Sequence, residues 1–217
     1  MKVVFRGRFV EHYSPGKVVL DLGSVGNETF EDDIQRGRWL FARIQTRAAK
    51  AIGVDIQASS IAGLRQRGDD IRCHDAQHLE SFRAGVVPDL IVAGELIEHL
   101  DNMAAFLAGV RAQMGPRTEL LITTRNPFGF IGFVDAALGR ERARADHLAW
   151  YSAGTLHHLL ESHGFRVVDV KFSGFMSRFR RSVFLSHLRR LAFLLFPLFS
   201  DGLIVIAMRD NAPRGGC

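Results

Sequence analysis

Short apolar runs alternate along this chain with stretches of helical periodicity, and this alternation does most to narrow its fold. Residues 89–93 (DLIVA) form the firmest run, almost wholly apolar, as a central strand buried on both faces should be. Residues 17–22 (KVVLDL), 51–55 (AIGVD), 70–73 (DIRC) and 119–123 (ELLIT) read as further strands. Between them, residues 34–49 carry apolar side chains at 34, 40, 41, 44 and 48, a spacing that predicts one helix. A second helix is predicted over 59–67, stopped by Gly68, and a third over 100–114, ended by Gly115 and Pro116. Ser152 reads as the N-cap of a helix running through Ser162 and closed by Gly164. Residues 166–170 and 203–208 read as two late strands. Such alternation implies an α/β fold, a mostly parallel sheet with helices on both faces. Residues 128–146 read as an irregular, arginine-rich connection and a candidate lid.

A length of 217 residues fits one α/β domain better than two, with enough apolar side chains to fill a core without covalent staples. Cys73 and Cys217 are the only cysteines, too few for a disulfide framework or a zinc pattern, so a reducing, cytoplasmic setting is expected. Cys73 lies in an apolar stretch and is expected to be a buried thiol. The first ten residues hold no long apolar run and no signal peptide is read there. The net charge of +5 favours anionic partners: nucleic acid, phosphorylated substrates or lipid headgroups. No aromatic-and-basic RNA signature accompanies the arginines, which makes nucleic acid the weakest of these and a solvated surface the plainest account.

Ligands of open α/β sheets bind at the carboxyl ends of the strands. Four positions here fall at such ends. Asp21-Leu22-Gly23-Ser24-Val25-Gly26 follows the first strand, where glycines let the backbone turn tightly against a ligand. Asp55 closes the second strand, and a carboxylate there can accept both hydrogen bonds of a ribose diol. Asp75 and Ala76 follow the third strand and are placed to meet an adenine edge. Gly94 and Glu95 follow the fourth. Each signal alone is weak, because an Asp after a strand is more often a cap or turn residue; their order carries the inference. The dinucleotide fingerprint G-x-G-x-x-G is absent, since position 25 is Val, and no P-loop occurs.

At these residues the chain resembles class I methyltransferases, most closely the branch of ubiquinone-pathway O-methyltransferases and of methyltransferases found among glycan-synthesis enzymes. The resemblance is carried by VVLDLGSVG (18–26), GVDI (53–56), Asp75-Ala76, DLIVAGELIEHL (89–100), TRNPF (124–128) and DHLAWYSAGTLHHLLESHGF (146–165). It implies S-adenosyl-L-methionine as cofactor and a Rossmann-like, seven-stranded sheet, mostly parallel with a C-terminal antiparallel hairpin. Asp21, Gly23, Ser24 and Gly26 would flank the methionine part of the cofactor. Asp55 and Ile56 would take the ribose, Asp75 and Ala76 the adenine, and Glu95 would complete the cofactor side. Two departures stand out. The family's turn has glycine where Val25 and Asn27 stand, and the segment after the fifth strand is Thr-Arg-Asn-Pro rather than Thr-Pro-Asn.

Glu95, Glu98 and His99 are spaced to share one helical face, and His147 recurs downstream beside Trp150. Two carboxylates and two imidazoles could hold one divalent ion, Mg or Mn, in the manner that small-RNA 2′-O-methyltransferases and some ubiquinone-pathway enzymes resemble. The mixed nitrogen and oxygen set suits Mn, Fe or Co at least as well as Mg. The competing reading places Glu98 at a helix start for its dipole alone and leaves His99 or His147 as a general base.

Residues 172–199 carry phenylalanine at 172, 175, 179, 184, 193, 196 and 199 and arginine at 178, 180, 181, 189 and 190, before the last strand. The apolar run 191–199 is too short to span a bilayer. An interfacial helix over 178–199 on an anionic membrane is one reading; a helix packed in the core or at a homodimer interface is the other, and aromatic side chains at helical spacing favour packing. His157 and His158 read as surface and core neighbours. The expectation is thus one methyltransferase domain spanning 1–217, acting on oxygen of a small-molecule, glycan or lipid-linked acceptor. The alternatives are a nicotinamide-dependent oxidoreductase and a catalytically degenerate methyltransferase fold that serves as a binding module.

Overall fold

The structure, a computed structural model, describes residues 4–26, 30–141, 144–174, 191, 193 and 195–210. Eight strands form one sheet. In chain order they are β1 (Val4–Phe5), β2 (Val18–Leu22), β3 (Lys50–Asp55), β4 (Ile71–Cys73), β5 (Leu90–Gly94), β6 (Glu119–Arg125), β7 (Phe165–Gly174) and β8 (Gly202–Arg209). Their order across the sheet is β1-β7-β8-β6-β5-β2-β3-β4. Only β8 runs against its neighbours, lying antiparallel between β6 and β7. Seven strands follow the expected arrangement. The eighth, β1, is a two-residue piece added parallel to the β7 edge.

The helices are α1 (Arg6–Tyr13), α2 (Phe30–Gln35), α3 (Leu40–Gln45), α4 (Ala58–Gln66), α5 (Met103–Gln113), α6 (Phe130–Ala137) and α7 (Ala153–Ser162). Strand side chains alternate between two faces, and both faces are covered. Leu20, Leu22, Ile91 and Ala93 point into a core with Phe106, Leu107 and Val110 of α5 and Leu156 and Leu160 of α7. Val19, Leu90, Val92 and Leu121 point the other way, into a core with Val10 of α1 and Ile44 of α3. Hence the central strands read as unbroken apolar runs.

Several local expectations change. The single helix over 34–49 is two, because Gly37 takes φ +62° and turns the chain out of α2, while the Asp33 carbonyl accepts from the N–H groups of Arg38 and Trp39. The helix expected from residue 100 begins at Met103, since the side chain of Asn102 accepts from Ala105 N–H at 3.0 Å and caps it there. Ser152 does cap α7, in a reciprocal box with Thr155. The stretch 128–146 is not wholly irregular: it contains α6. Nor is Cys73 a buried thiol, since the short edge strand β4 leaves it exposed. His157 is half-buried and pairs with Glu161, and His158 is exposed, so neither is a core residue. Phe172 and Phe193 are buried as packing side chains, whereas Phe196 is exposed. Asn27, Cys217 and the phenylalanines and arginines of 175–190 lie outside the described residues. Among the described residues no helix is long and apolar enough to cross a membrane.

Asn126, in the turn after β6, ties two distant segments together. Its amide donates to the carbonyls of Leu198 at 2.7 Å and Ser200 at 2.8 Å, and its Oδ1 accepts from Phe128 N–H at 3.1 Å. Replacing Asn126 with Ala leaves those carbonyls without their donor in a buried setting. Urea denaturation of Asn126→Ala is expected to show a loss of about 1–3 kcal/mol.

Candidate active site

Parallel register gathers the carboxyl ends of β2, β3 and β5 on one edge. Leu22 lies opposite both Val54 and Ala93, so the residues that follow each strand emerge side by side. They line a cleft of about 1010 Å³ that runs from the turn after β2 to the segment around His147.

The turn after β2 is built on Gly23 at φ +74° and Gly26 at φ +82°, the two left-handed positions that glycine takes without steric cost. Val25 needs no such freedom. Its side chain is buried with Trp39, Phe41, Ile61, Leu64 and Ile71, so the departure from the usual glycine pattern supplies a packing anchor. Trp39 braces the turn from outside, its indole N–H donating to the Ser24 carbonyl at 2.7 Å. Asp55 braces it from inside. Its Oδ2 accepts from Val25 N–H at 2.9 Å and Gly26 N–H at 3.4 Å, and its Oδ1 accepts from Gln57 N–H at 3.1 Å. Ile56 beside it is 68 % exposed, an apolar surface facing the cleft. Asp75 caps the turn after β4: it accepts from Gln77 N–H at 2.8 Å and pairs with His78 at 2.9 Å. Burial works against that carboxylate's charge, but these two partners hold its pKa below the usual value. Ala76 is buried next to it at the cleft wall.

Asp21 is buried deeper. Desolvation, reinforced by the charge of Asp55 and opposed by Arg6, pushes its pKa up to about 8. Ser24 Oγ and Thr123 Oγ1 nearby are buried without a hydrogen-bond partner.

At the other end of the cleft, the four expected metal ligands separate into three and one. Glu98, His99 and His147 each offer a donor atom, all within 4.8 Å of one another. Glu95 is not with them. It sits at φ +54°, the one non-glycine residue in the left-handed region among those described, so no helical turn links it to Glu98 and the expected shared face does not form. Its carboxylate instead faces Arg6 at 3.5 Å and Arg125 at 3.9 Å.

The trio is assembled by backbone contacts. The Glu98 carbonyl accepts from Leu148 N–H at 2.8 Å and Ala149 N–H at 3.3 Å, which holds the His147 segment against the short helical turn Ile97–His99. His99 Nδ1 lies 2.8 Å from the Asp146 carbonyl, and the His99 and His147 rings meet edge-on at 4.9 Å. Trp150 packs edge-on against His147 at 5.7 Å. Glu98 Oε2 accepts from Thr124 at 3.0 Å, while its Oε1 and His147 Nδ1 are buried without a hydrogen-bond partner. Burial, and next the charge of Glu95, raises the Glu98 pKa to about 7. Burial, helped by His99 and Arg125, lowers that of His147, so its imidazole is neutral at neutral pH.

Arg6, Trp39, Thr124 and Arg125 reach the site without having been singled out in the sequence. Thr124 and Arg125 belong to the TRNPF segment, whose position after a strand was the available signal. Arg6, at the start of α1, and Trp39, just before α3, reach the cleft from outside the strand ends, and no spacing marks them.

A family profile described as a methyltransferase domain matches residues 7–170. The chain is 30% identical over 130 residues to a ubiquinone biosynthesis O-methyltransferase of Rhodopseudomonas palustris (strain BisB5), covering 57% of this chain and 48% of that protein. It thus spans about half the length of that curated relative. Among solved structures, a SAM-dependent methyltransferase from Archaeoglobus fulgidus superposes with a TM-score of 0.62 at 19% identity, over 92% of this chain and 89% of that one. The Burkholderia thailandensis 1,6-didemethyltoxoflavin-N1-methyltransferase, solved with S-adenosylhomocysteine bound, superposes with a TM-score of 0.58 at 18% identity, over 94% and 78%.

Asp21 and Glu98 make the ligand-free protein sensitive to pH. Asp21 holds its proton to about pH 8 when folded, against an ordinary value of 3.8. Across that window the folded state binds more protons than the unfolded one, so stability falls as pH rises. Glu98 acts in the same direction between 4.5 and about 7. The melting temperature of Asp21→Asn relative to wild type is expected to climb between about pH 5 and about pH 8.5; a difference independent of pH would contradict the burial assigned to Asp21.

Proposed function

Since the chain belongs to the class I SAM-dependent methyltransferases, we propose that its cleft binds S-adenosylmethionine and passes the methyl group to an oxygen of a small-molecule, glycan or lipid-linked acceptor. The juxtaposition of the braced glycine turn with the Glu98, His99 and His147 trio in one cleft carries this reading. The methyl donor is cationic at sulfur, and a cation bound at the inner end of the cleft favours the ionised form of the buried Asp21, which otherwise keeps its proton to about pH 8. Asp55, at the end of β3, is assigned the ribose, with Ile56 beneath the base and Asp75 and Ala76 at its edge. Oxygen as the acceptor atom is supported by the likeness to the Rhodopseudomonas ubiquinone biosynthesis O-methyltransferase.

Methyl transfer from a sulfonium is a single in-line displacement. The protein has to place the acceptor oxygen opposite the leaving sulfur and remove its proton. With no ion bound, His147, neutral and held against His99 and Trp150, is the group assigned to accept that proton. Glu98, clamped by Thr124, is assigned the orientation of the acceptor hydroxyl. The donor set also fits a divalent cation: one carboxylate and two imidazoles, with Glu98 Oε1 and His147 Nδ1 buried and unpartnered. Such an ion, held by Glu98, His99 and His147, would supply Lewis acidity that lowers the acceptor hydroxyl's pKa. Glu95, paired with Arg6 and Arg125, is left on the cofactor side.

Calorimetric titration tests the two halves separately. S-adenosylhomocysteine is expected to bind and NADH not to, with Asp55→Ala weakening the former by about tenfold or more, the loss of a charge-assisted contact. Tight NADH binding, or no binding of S-adenosylhomocysteine by folded protein, overturns the cofactor reading. Titration with Mn(II) is expected to saturate one site in wild type and none in Glu98→Gln or His147→Ala, both retaining S-adenosylhomocysteine affinity. If all three proteins ignore Mn(II), the trio works by proton transfer alone.

A further inference from the structure

We propose that Asp146 is a positioning residue for the Glu98, His99 and His147 trio: its backbone carbonyl fixes His99 in the tautomer that carries the proton on Nδ1, which leaves the ring's lone pair on Nε2. His99 Nδ1 lies 2.8 Å from that carbonyl and 3.5 Å from the Asp146 carboxylate. A carbonyl oxygen has no proton to give, and an ionised carboxylate has none either, so the ring nitrogen facing them is the donor. A neutral imidazole carries a single N–H, and the acceptor that one nitrogen faces decides where it sits. Free histidine in water favours the other form, with the proton on Nε2, so the contact reverses an intrinsic preference.

The carbonyl is held in place by a turn, Arg144 to His147, that is closed twice. His147 N–H donates to the Arg144 carbonyl at 3.0 Å. The Arg144 guanidinium then grips both carboxylate oxygens of Asp146 as a fork, Nε at 3.0 Å and Nη2 at 3.1 Å. From the other direction, Leu148 and Ala149 N–H donate to the Glu98 carbonyl at 2.8 and 3.3 Å. Of the three bonds that join the two segments, the one from Asp146 reaches an imidazole.

His147 is built differently. Its Nδ1 is buried without a hydrogen-bond partner, so no acceptor commits that nitrogen to carrying the proton. The two rings, edge-on at 4.9 Å, therefore divide in kind. His99 offers a preset lone pair at Nε2, and His147 remains free to take up a proton. Only the use of the His99 lone pair, to receive the acceptor hydroxyl or a divalent cation, rests on the methyl-transfer reading. The tautomer is read in the ligand-free protein, so either can fail without the other.

Nitrogen NMR of the ligand-free full chain, above the pH at which imidazole titrates, reports the tautomer, with His99→Gln identifying the His99 signals. Wild type is expected to hold His99 in the Nδ1–H form. Arg144→Ala, which removes the fork, and Asp146→Gly, which also loosens the backbone, are expected to shift it toward Nε2–H. Asp146→Asn keeps an oxygen for Arg144 and is expected to retain the wild-type form. Mn(II) affinity is expected to fall about tenfold or more in the first two variants and to survive in the third. S-adenosylhomocysteine affinity, unchanged in all three, is the check on folding. The proposal is overturned if His99 of wild type carries its proton on Nε2, or if Arg144→Ala and Asp146→Gly both keep the wild-type tautomer. A wild type that ignores Mn(II) yet shows the Nδ1–H form, lost in those two variants, supports the positioning role and removes only the cation.

Discussion

The parallel pairing of β2 with β3 on one side and β5 on the other is the constraint from which the site follows. Strands buried on both faces cannot slide, because a shift of one residue would exchange the two cores. With Leu22, Val54 and Ala93 held level, the turn carrying Gly23 and Gly26, the carboxylate of Asp55 and the strained backbone of Glu95 leave the sheet at one height. Chemistry then depends on what each exit brings.

Two kinds of cost are concentrated at that edge. Asp21 and Glu98 are carboxyl groups kept out of water, each raised in pKa by that burial. Glu95 keeps a left-handed conformation that an L side chain adopts only against steric resistance. None of these serves the core, which is apolar on both faces of the sheet. Buried charge and backbone strain of this sort persist where a ligand or a reaction repays them. Burial moves both Glu98 and its neighbour His147 toward their uncharged forms, the carboxyl by raising its pKa and the imidazole by lowering it.

The two ends of the cleft differ in construction. Turns immediately after strands form the end that carries Gly23, Asp55 and Asp75, so the sheet positions them. The His147 end is held by longer reaches: the Glu98 carbonyl to residues 148 and 149, and His99 to the Asp146 carbonyl. Loops pinned by a few such bonds can vary while the sheet stays constant, which is how one scaffold serves many acceptors.

Residue pattern alone determined the fold class, seven strands of the sheet, the helices α4, α5 and α7, and the order of the residues that leave the strand ends beside the cleft. Those features are local: alternation, apolar runs and glycines at strand ends follow from steric and hydration preferences that act over a few residues. Seven strands were legible for that reason, while the two-residue β1 carries too little pattern to show. Cys73 was misread because an apolar neighbourhood in sequence does not reveal that its strand lies at an edge. Tertiary structure decided the rest. It separated Glu95 from Glu98, since one left-handed residue between strand and turn undoes the helical spacing that would have joined them. It brought His147 to His99 across 48 residues, and Arg6 and Trp39 to the cleft from packed helices and their flanks. Contacts between distant segments are set by how layers pack, and packing leaves no periodic trace in the chain.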